Sequence, residues 1–459
     1  MDKKFYKRAL MVAVPIMVQN GITNFVSMLD NIMIGQVGTH PMSAVAIVNQ
    51  LIFVFNLCIF GGLAGIAIFT AQFFGRKNED GVRYTFRLMI ITALILSAIG
   101  LFVFYCFPDR LISLYLHEGN SVSDITETMM YAKAYLKVMM LGMLPFALTQ
   151  VYSTTLRSVN QTVVPMRASM LAVAINLVGN YILIYGKFGF PQLGVVGAAI
   201  ATGLSRVVEL IYIVTWTLRN KEKTPFLQNV FSNFYIPSSL TRNCLIKGMP
   251  LLCNEFLWSA SQVALNSIYS YRGLSVVAAF NISQTVSNVF NIAFMAFGNA
   301  TGIIIGQELG AGHFDTVKKD AKRITFFTLG ICVFMGALLF VVSGFFPEIY
   351  NTSDEIKQLA GNLIKVASIC MPMYAYANAS YFILRSGGKT IITFLFDSCF
   401  CWSISIPIAF LLVHMTSLEM PILFLIVQLA DLIKCTIGFI LIEKGVWIND
   451  ITSFAKEAA

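Results

Sequence analysis

The sequence predicts an all-α membrane protein: twelve transmembrane helices in two six-helix lobes related by a parallel internal repeat. Three observations predict it. Of the 459 residues, 57% are apolar and only 12% carry charge, against about 25% charged in an average soluble domain. The apolar residues come in blocks long enough to cross a bilayer, and marked residues of the first half recur in the second at nearly constant offsets. A soluble chain of this length would need several cores and enough polar surface to cover them, which this composition does not supply. An enzyme of ordinary water-soluble type is therefore excluded.

A helix needs about 20 mostly apolar residues to cross the hydrocarbon layer. Such blocks fall at 10–33, 44–73, 88–107, 131–151, 163–185 and 195–218, then at 245–268, 276–305, 324–346, 360–384, 391–413 and 420–442. Prolines inside them (Pro15, Pro145, Pro250, Pro372, Pro407) are compatible with helix, because neighbouring helices re-satisfy freed backbone groups. The first block is too long for a cleavable leader and is expected to stay as the first helix.

Short cytoplasmic loops retain lysine and arginine. The alternate loops that carry Arg76, Lys77, Arg83, Arg219, Lys221, Lys223, Lys318, Lys319, Lys322 and Arg323 are far richer in these than the opposite set, with Arg110, Lys187, Arg272 and Lys357. Both termini are expected inside, and the formal net charge of +9 reflects topology and contact with anionic lipid, not nucleic-acid binding. Nine scattered cysteines do not make a disulfide framework.

Pro15 and Pro250 stand 235 residues apart, and the same offset joins Gly38 to Gly273, Gln72 to Gln307 and Gly75 to Gly310. "TLRSVNQT" around Arg157 returns as "ILRSGGKT" around Arg385, 228 residues later. An even number of helices separates matched positions, so the repeat is parallel. The domains expected are residues 1–225, helices one to six, and 226–459, helices seven to twelve, joined by the polar stretch from about Arg219 to Arg242.

Soluble-enzyme motifs fail. "SGGKT" ending at Thr390 has Ile383 where a phosphate loop needs its leading glycine, and His40, His117, His313 and His414 are isolated. The informative residues are ionisable side chains inside spans, each costly unless paired or facing water. Asp30, in "SMLDNIMIGQVG", has no cation within a helical turn; it reads as a proton- or cation-binding carboxylate or as an interfacial cap. Glu255 and Asp397 also lack local partners and read either as substrate or cation ligands or as groups satisfied across helices. Asp431 with Lys434, and Arg206 with Glu209, are spaced to pair on one helix face. Asn176 and Asn180 share a face of helix five, and Thr202 can complete a polar cluster or simply pin helices together.

Together "VPIMVQN", "MLDNIMIGQVG", "NYILIYGKFGFPQLGVVGAAIATGLSR", "GMPLLCNE", "GIIIGQELGAG" and "LRSGGKT" resemble, in order and spacing, the multidrug and toxic compound extrusion (MATE) family of antiporters. The resemblance implies two six-helix lobes in a V that expel organic cations in exchange for protons or sodium ions. It implies that Asp30 is the coupling carboxylate, with Asn176, Asn180 and Thr202 as its polar partners, and that Pro15 lets helix one bend. Some members have an aspartate where Asn180 stands. Glu255 matches the helix-seven glutamate of NorM-type members, whereas "CMPMYAYANASYFILRS" lacks their helix-ten acid; Asp397 is the candidate to stand in, and Asp431 is a further substrate or cation candidate of that lobe. The expectation is a multi-pass protein of the plasma (inner) membrane, monomeric, touching membrane lipids and small lipophilic or cationic substrates, with no cofactor and no metal beyond a coupling sodium at Asp30. The alternative considered is a lipid-linked saccharide flippase of related architecture, which would favour a cationic cavity.

Overall fold

The computed structural model describes residues 3–115, 122–228, 230–232 and 234–453; His117 lies outside them. Among the described residues, twelve long helices account for most of the chain. In the first half they are α1 (Lys3–Gly35), α2 (Thr39–Gly75), α3 (Glu79–Cys106), α4 (Val122–Ser158), α5 (Val163–Tyr185) and α6 (Gly194–Arg219). In the second they are α7 (Ser238–Ser270), α8 (Leu274–Gly310), α9 (Phe314–Val342) and α10 (Asp354–Ser386), then α11 (Thr390–Met415) and α12 (Met420–Lys444). Among the described residues there is no strand.

Most of these helices outrun the apolar blocks, because a helix continues past the hydrocarbon as long as its backbone bonds close internally. Ten of the twelve are apolar enough to qualify as spans on composition alone. The other two, α7 and α10, are 33 residues each and are diluted by polar side chains such as Asn254, Glu255 and Ser261, or Asn378 and Ser380. Their polarity already hints at internal partners.

α11 is irregular where the sequence predicts a plain span. After one α-helical turn it passes through π-helical turns at Leu395–Cys399 and Cys401–Ser405 before returning to α-helix at Ile406–Met415. Such turns re-aim side chains and are frequent at functional sites. Asp397, Phe400 and Cys401 lie in or between them.

Contacts divide the chain into two compact units. One holds residues 18–70 and 79–242; in it α5 packs on α6, and α6 and α3 pack on α4. The connector after α6 is not a free tether: buried Arg87 of α3 donates to the carbonyls of Val230 (2.7 Å) and Tyr235 (2.9 Å), and Arg83 to that of Phe226 (3.2 Å).

The other unit holds residues 1–17, 71–78 and 243–459, with α10 packed on α8, α9 and α12. Unlike the contiguous division expected from the repeat, it gathers the first residues of α1 and the last of α2. The physical reason is apolar burial and close backbone approach. Val12, Ala13 and Ile16 of α1 bury against Ala296, Phe297 and Ala300 of α8. A Cβ on Gly75 would lie 2.0 Å from the Gln307 carbonyl oxygen, and one on Gly310 would lie 1.9 Å from that of Gln72. Only glycine fits at either place, which explains why the two glycines recur in both repeats.

The "SGGKT" stretch is likewise a packing device. Gly388 takes φ +73°, and a Cβ on Gly387 would fall 1.8 Å from the Trp447 carbonyl oxygen. The fully buried Trp447 anchors a C-terminal tail that Gln72 and Arg76 hold by hydrogen bonds to Asn449, Asp450, Ile451 and Thr452.

Candidate functional site

Asp30 sits on α1 between two ties to α5. On one side Gln19 Nε2 donates to Ser169 Oγ at 2.6 Å; on the other Tyr185 Oη donates to the Met33 carbonyl at 3.1 Å. These hold the two helices side by side and set Asp30 opposite Asn180, whose Nδ2 donates to Asp30 Oδ1 at 2.6 Å. Asn176, one turn along α5, completes the cluster with Thr202 of α6. Its amide is fully satisfied only one way round. With nitrogen toward the acid it donates to both Asp30 oxygens at 3.0 Å and accepts from Thr202 Oγ1 at 3.1 Å. Turned over, it donates to Thr202 and presents its oxygen to the carboxylate.

The four residues Asp30, Asn176, Asn180 and Thr202 are thus brought together, a grouping of Asp30 with the other three that the family resemblance implied. Asn180 is buried, and among the described residues its Oδ1 has no hydrogen-bond partner. The cluster therefore offers two carboxylate oxygens, amide oxygens and a hydroxyl, the hard oxygen donors that suit a proton or an alkali cation. Thr202 also lines a cavity in the same unit, with Ile52, Phe55, Asn56, Met139, Phe146 and Arg206.

A second polar chain lies toward the start of α1, about two turns from the cluster along α5 and α6. Arg157 Nη2 donates to Gln19 Oε1 (2.6 Å), Gln19 to Ser169, and Ser169 Oγ to Glu209 Oε1 (2.6 Å). Arg206 closes it with Nη1 at 3.0 Å from Glu209 Oε2. Gln19 and Ser169 were not legible as functional from sequence; only the Arg206 and Glu209 spacing signalled part of the chain.

The second half carries a related arrangement. Lys434 of α12 places Nζ 3.4 Å from Asp431 Oδ1 and 3.6 Å from Asp397 Oδ1. Asn254 of α7 donates to Asp397 Oδ2 at 3.1 Å, and its side-chain oxygen accepts from Ser398 Oγ at 2.7 Å. Asp397 and Asp431 are therefore joined through Lys434, so Asp397 is satisfied across helices. Glu255, half-buried on α7, makes no hydrogen bond or ion pair among the described residues. Among those residues no group of three or more His, Cys, Asp or Glu side chains could hold a metal ion.

The MatE family signature matches this chain twice, over residues 15–182 and 250–411, each match opening on one of the paired prolines. The chain belongs to the MatE family. MatE members are transporters, so this one is a transporter and not an enzyme. Among its relatives, the probable multidrug resistance protein NorM of Thermotoga maritima is 26% identical, the match covering 96% of this chain and 93% of that one. The probable multidrug resistance protein YoeA of Bacillus subtilis is 24% identical, over 89% and 87%. A crystal structure of a MATE protein in its straight conformation superposes with a TM-score of 0.85 at 19% identity, covering 98% of this chain and 97% of that one. A MOP-superfamily transporter from Pyrococcus furiosus gives 0.82 at 18%, over 96% and 95%. These likenesses establish the fold: twelve transmembrane helices in two lobes.

Proposed function

We propose that this MatE chain is a secondary antiporter that exports organic cations and drugs in exchange for protons or sodium ions, with Asp30 as the coupling carboxylate. The observation that carries the reading is the Asp30 cluster itself. An acid inside a span is held by the Asn180 amide beside an acceptor oxygen with no partner, and Thr202 links the cluster to the wall of a cavity. Two relatives bear names as probable multidrug resistance proteins, which agrees with a lipophilic or cationic cargo.

Residues 1–225 and 226–459 act in this reading as the two moving lobes, with both termini in the cytoplasm and the chain in the plasma membrane as a monomer. Cargo binds from the cytoplasm or inner leaflet while Asp30 is charged. Loading Asp30 from outside discharges it, turns Asn176 to offer oxygen in place of nitrogen, and weakens cargo binding. A ligand shifts such an equilibrium only by its differential affinity for the two states, and a few kcal/mol moves the populations across the midpoint. Pro15, which has no N–H to close a helical bond, lies two residues before α1 leaves one compact unit for the other at Met17, a suitable place for a hinge.

The test is dye efflux from proteoliposomes under separately imposed sodium and proton gradients. Wild type is expected to respond to one of them and Asp30→Asn to neither, with the variant still inserted and monodisperse. Undiminished gradient-driven efflux by Asp30→Asn would sink the proposal.

A further inference from the structure

The repeat, extended with the structure in hand, pairs the two polar chains residue by residue. Gln19 and Asn254 stand 235 apart, Arg157 and Arg385 228 apart, and Ser169 and Asp397 also 228 apart. In the last helices the offset is 225, set by the helix ends Arg219 and Lys444. That offset places Asp431 where Arg206 stands and Lys434 where Glu209 stands. Contacts agree with the pairing: Gln19 donates to Ser169 as Asn254 donates to Asp397, and Glu209 meets Ser169 as Lys434 meets Asp397. The scaffold is the same and its charges are exchanged. A neutral hydroxyl and a carboxylate in the first half become a carboxylate and an ammonium in the second.

The surroundings of that ammonium are those of a cation-binding site. Two carboxylates flank it, the Phe400 ring lies 5.0 Å from it, and Cys401 Sγ is at 3.8 Å. Its side chain is only 8% exposed, while Asp397 and Asp431 keep 24% and 19%. Two carboxylates and an aromatic face bind ammonium groups by charge and ring quadrupole. The π-helical turns of α11 bring Asp397, Phe400 and Cys401 to this one place, and Asn254 fixes the far oxygen of Asp397.

We propose that the Lys434 ammonium is a tethered cation filling a site built for a free one, so that the second half holds no alkali ion unless Lys434 is removed. Lys434 then decides which half of the transporter is ion-coupled: the first, with its mobile ion at Asp30, and not the second, whose cation is part of the chain. That the first half carries the mobile ion rests on the proposed function; the filling of the second site by Lys434 is tested apart from it, with Asp30 already neutralised.

The experiment uses the full-length protein in nanodiscs in an Asp30→Asn background, with binding of radioactive sodium as the readout and choline as the control salt. Asp30→Asn alone and Asp30→Asn/Lys434→Arg are expected to bind no sodium above background. Asp30→Asn/Lys434→Met should gain sodium affinity by roughly tenfold or more, the equivalent of about 1.4 kcal/mol, and lose it again when Asp397→Asn is added. Should Lys434→Met alone fail to accumulate, Lys434→Met/Asp431→Asn keeps the net charge and should bind sodium through Asp397. A folded Lys434→Met variant that binds no sodium overturns the proposal, as does sodium binding with Lys434 present that Asp397→Asn removes.

Discussion

The Asp30 end of the first half and its repeat partner in the second face the same geometric problem with opposite chemistry. Asp30 has its match 235 residues on at Leu265, and Thr202 has its match 225 on at Val427. Leu265 and Val427 fall in one buried apolar cluster with Ala409, against which Ile408 packs. One half builds an oxygen-lined pocket where the other fills the space with hydrocarbon. Nearer the starts of α1 and α7 the halves converge again, each with a polar chain across its helices, but with charges exchanged. The repeat thus keeps one place for polar side chains in both halves, the chain across the helices, with its charges reassigned, and keeps the other in the first half alone.

The comparison breaks most completely at Asp30. Asp30→Asn is expected to reduce gradient-driven efflux to that of protein-free liposomes, whereas Asp397→Asn should leave a measurable gradient response; equal losses would erase the asymmetry. Next in size is Lys434→Met, which strands two carboxylates and should lower unfolding free energy in choline by about 3–5 kcal/mol, read by denaturant titration in detergent. Leu265→Asp puts a carboxylate into the apolar counterpart and should cost about 2.5–3.5 kcal/mol, with Leu265→Met costing less than about 1.5 kcal/mol; a harmless Leu265→Asp would mean that the second half also tolerates an acid there. Smallest is Asn180→Ala, which removes one hydrogen bond to a charged acceptor, worth about 1.5–3 kcal/mol. With sodium as the coupling ion it should raise the half-saturating concentration by roughly tenfold or more; with the proton it should lower it, because the lost donation favours the protonated acid, and maximal efflux is retained in both cases.

The fold and the Asp30 site were legible in the sequence for physical reasons. Spans announce themselves by length and composition. Asn176 and Asn180 announce a shared face because they are four apart. Asp30 stands out because an unpaired acid in hydrocarbon needs an explanation. What the sequence hid depends on helix rotation and on distant contacts. That Asp397 meets Lys434 follows from the π-helical turns of α11, which no periodicity reports. That Gln19 bridges Arg157 and Ser169 needs α1, α4 and α5 in place. The connector reads as polar, yet Phe226 and Val230 are buried and Arg87 grips its carbonyls, so composition overstated its freedom. The ends of α1 and α2 belong with the second unit through Gly75, Gly310 and a small apolar cluster, a grouping that a repeat boundary does not show.

The Gly75 and Gly310 crossing has one more consequence. Gly75 meets the backbone of Gln307 as Gly310 meets that of Gln72, so each repeat presents to the other the element that it receives. Reciprocity of this kind defines an isologous contact, the self-complementary patch by which identical subunits form a two-fold dimer. Here the dimer interface is written inside one polypeptide. The two copies are thereby free to diverge everywhere except at the clasp, where a change in either glycine must be accommodated by the backbone of the other copy.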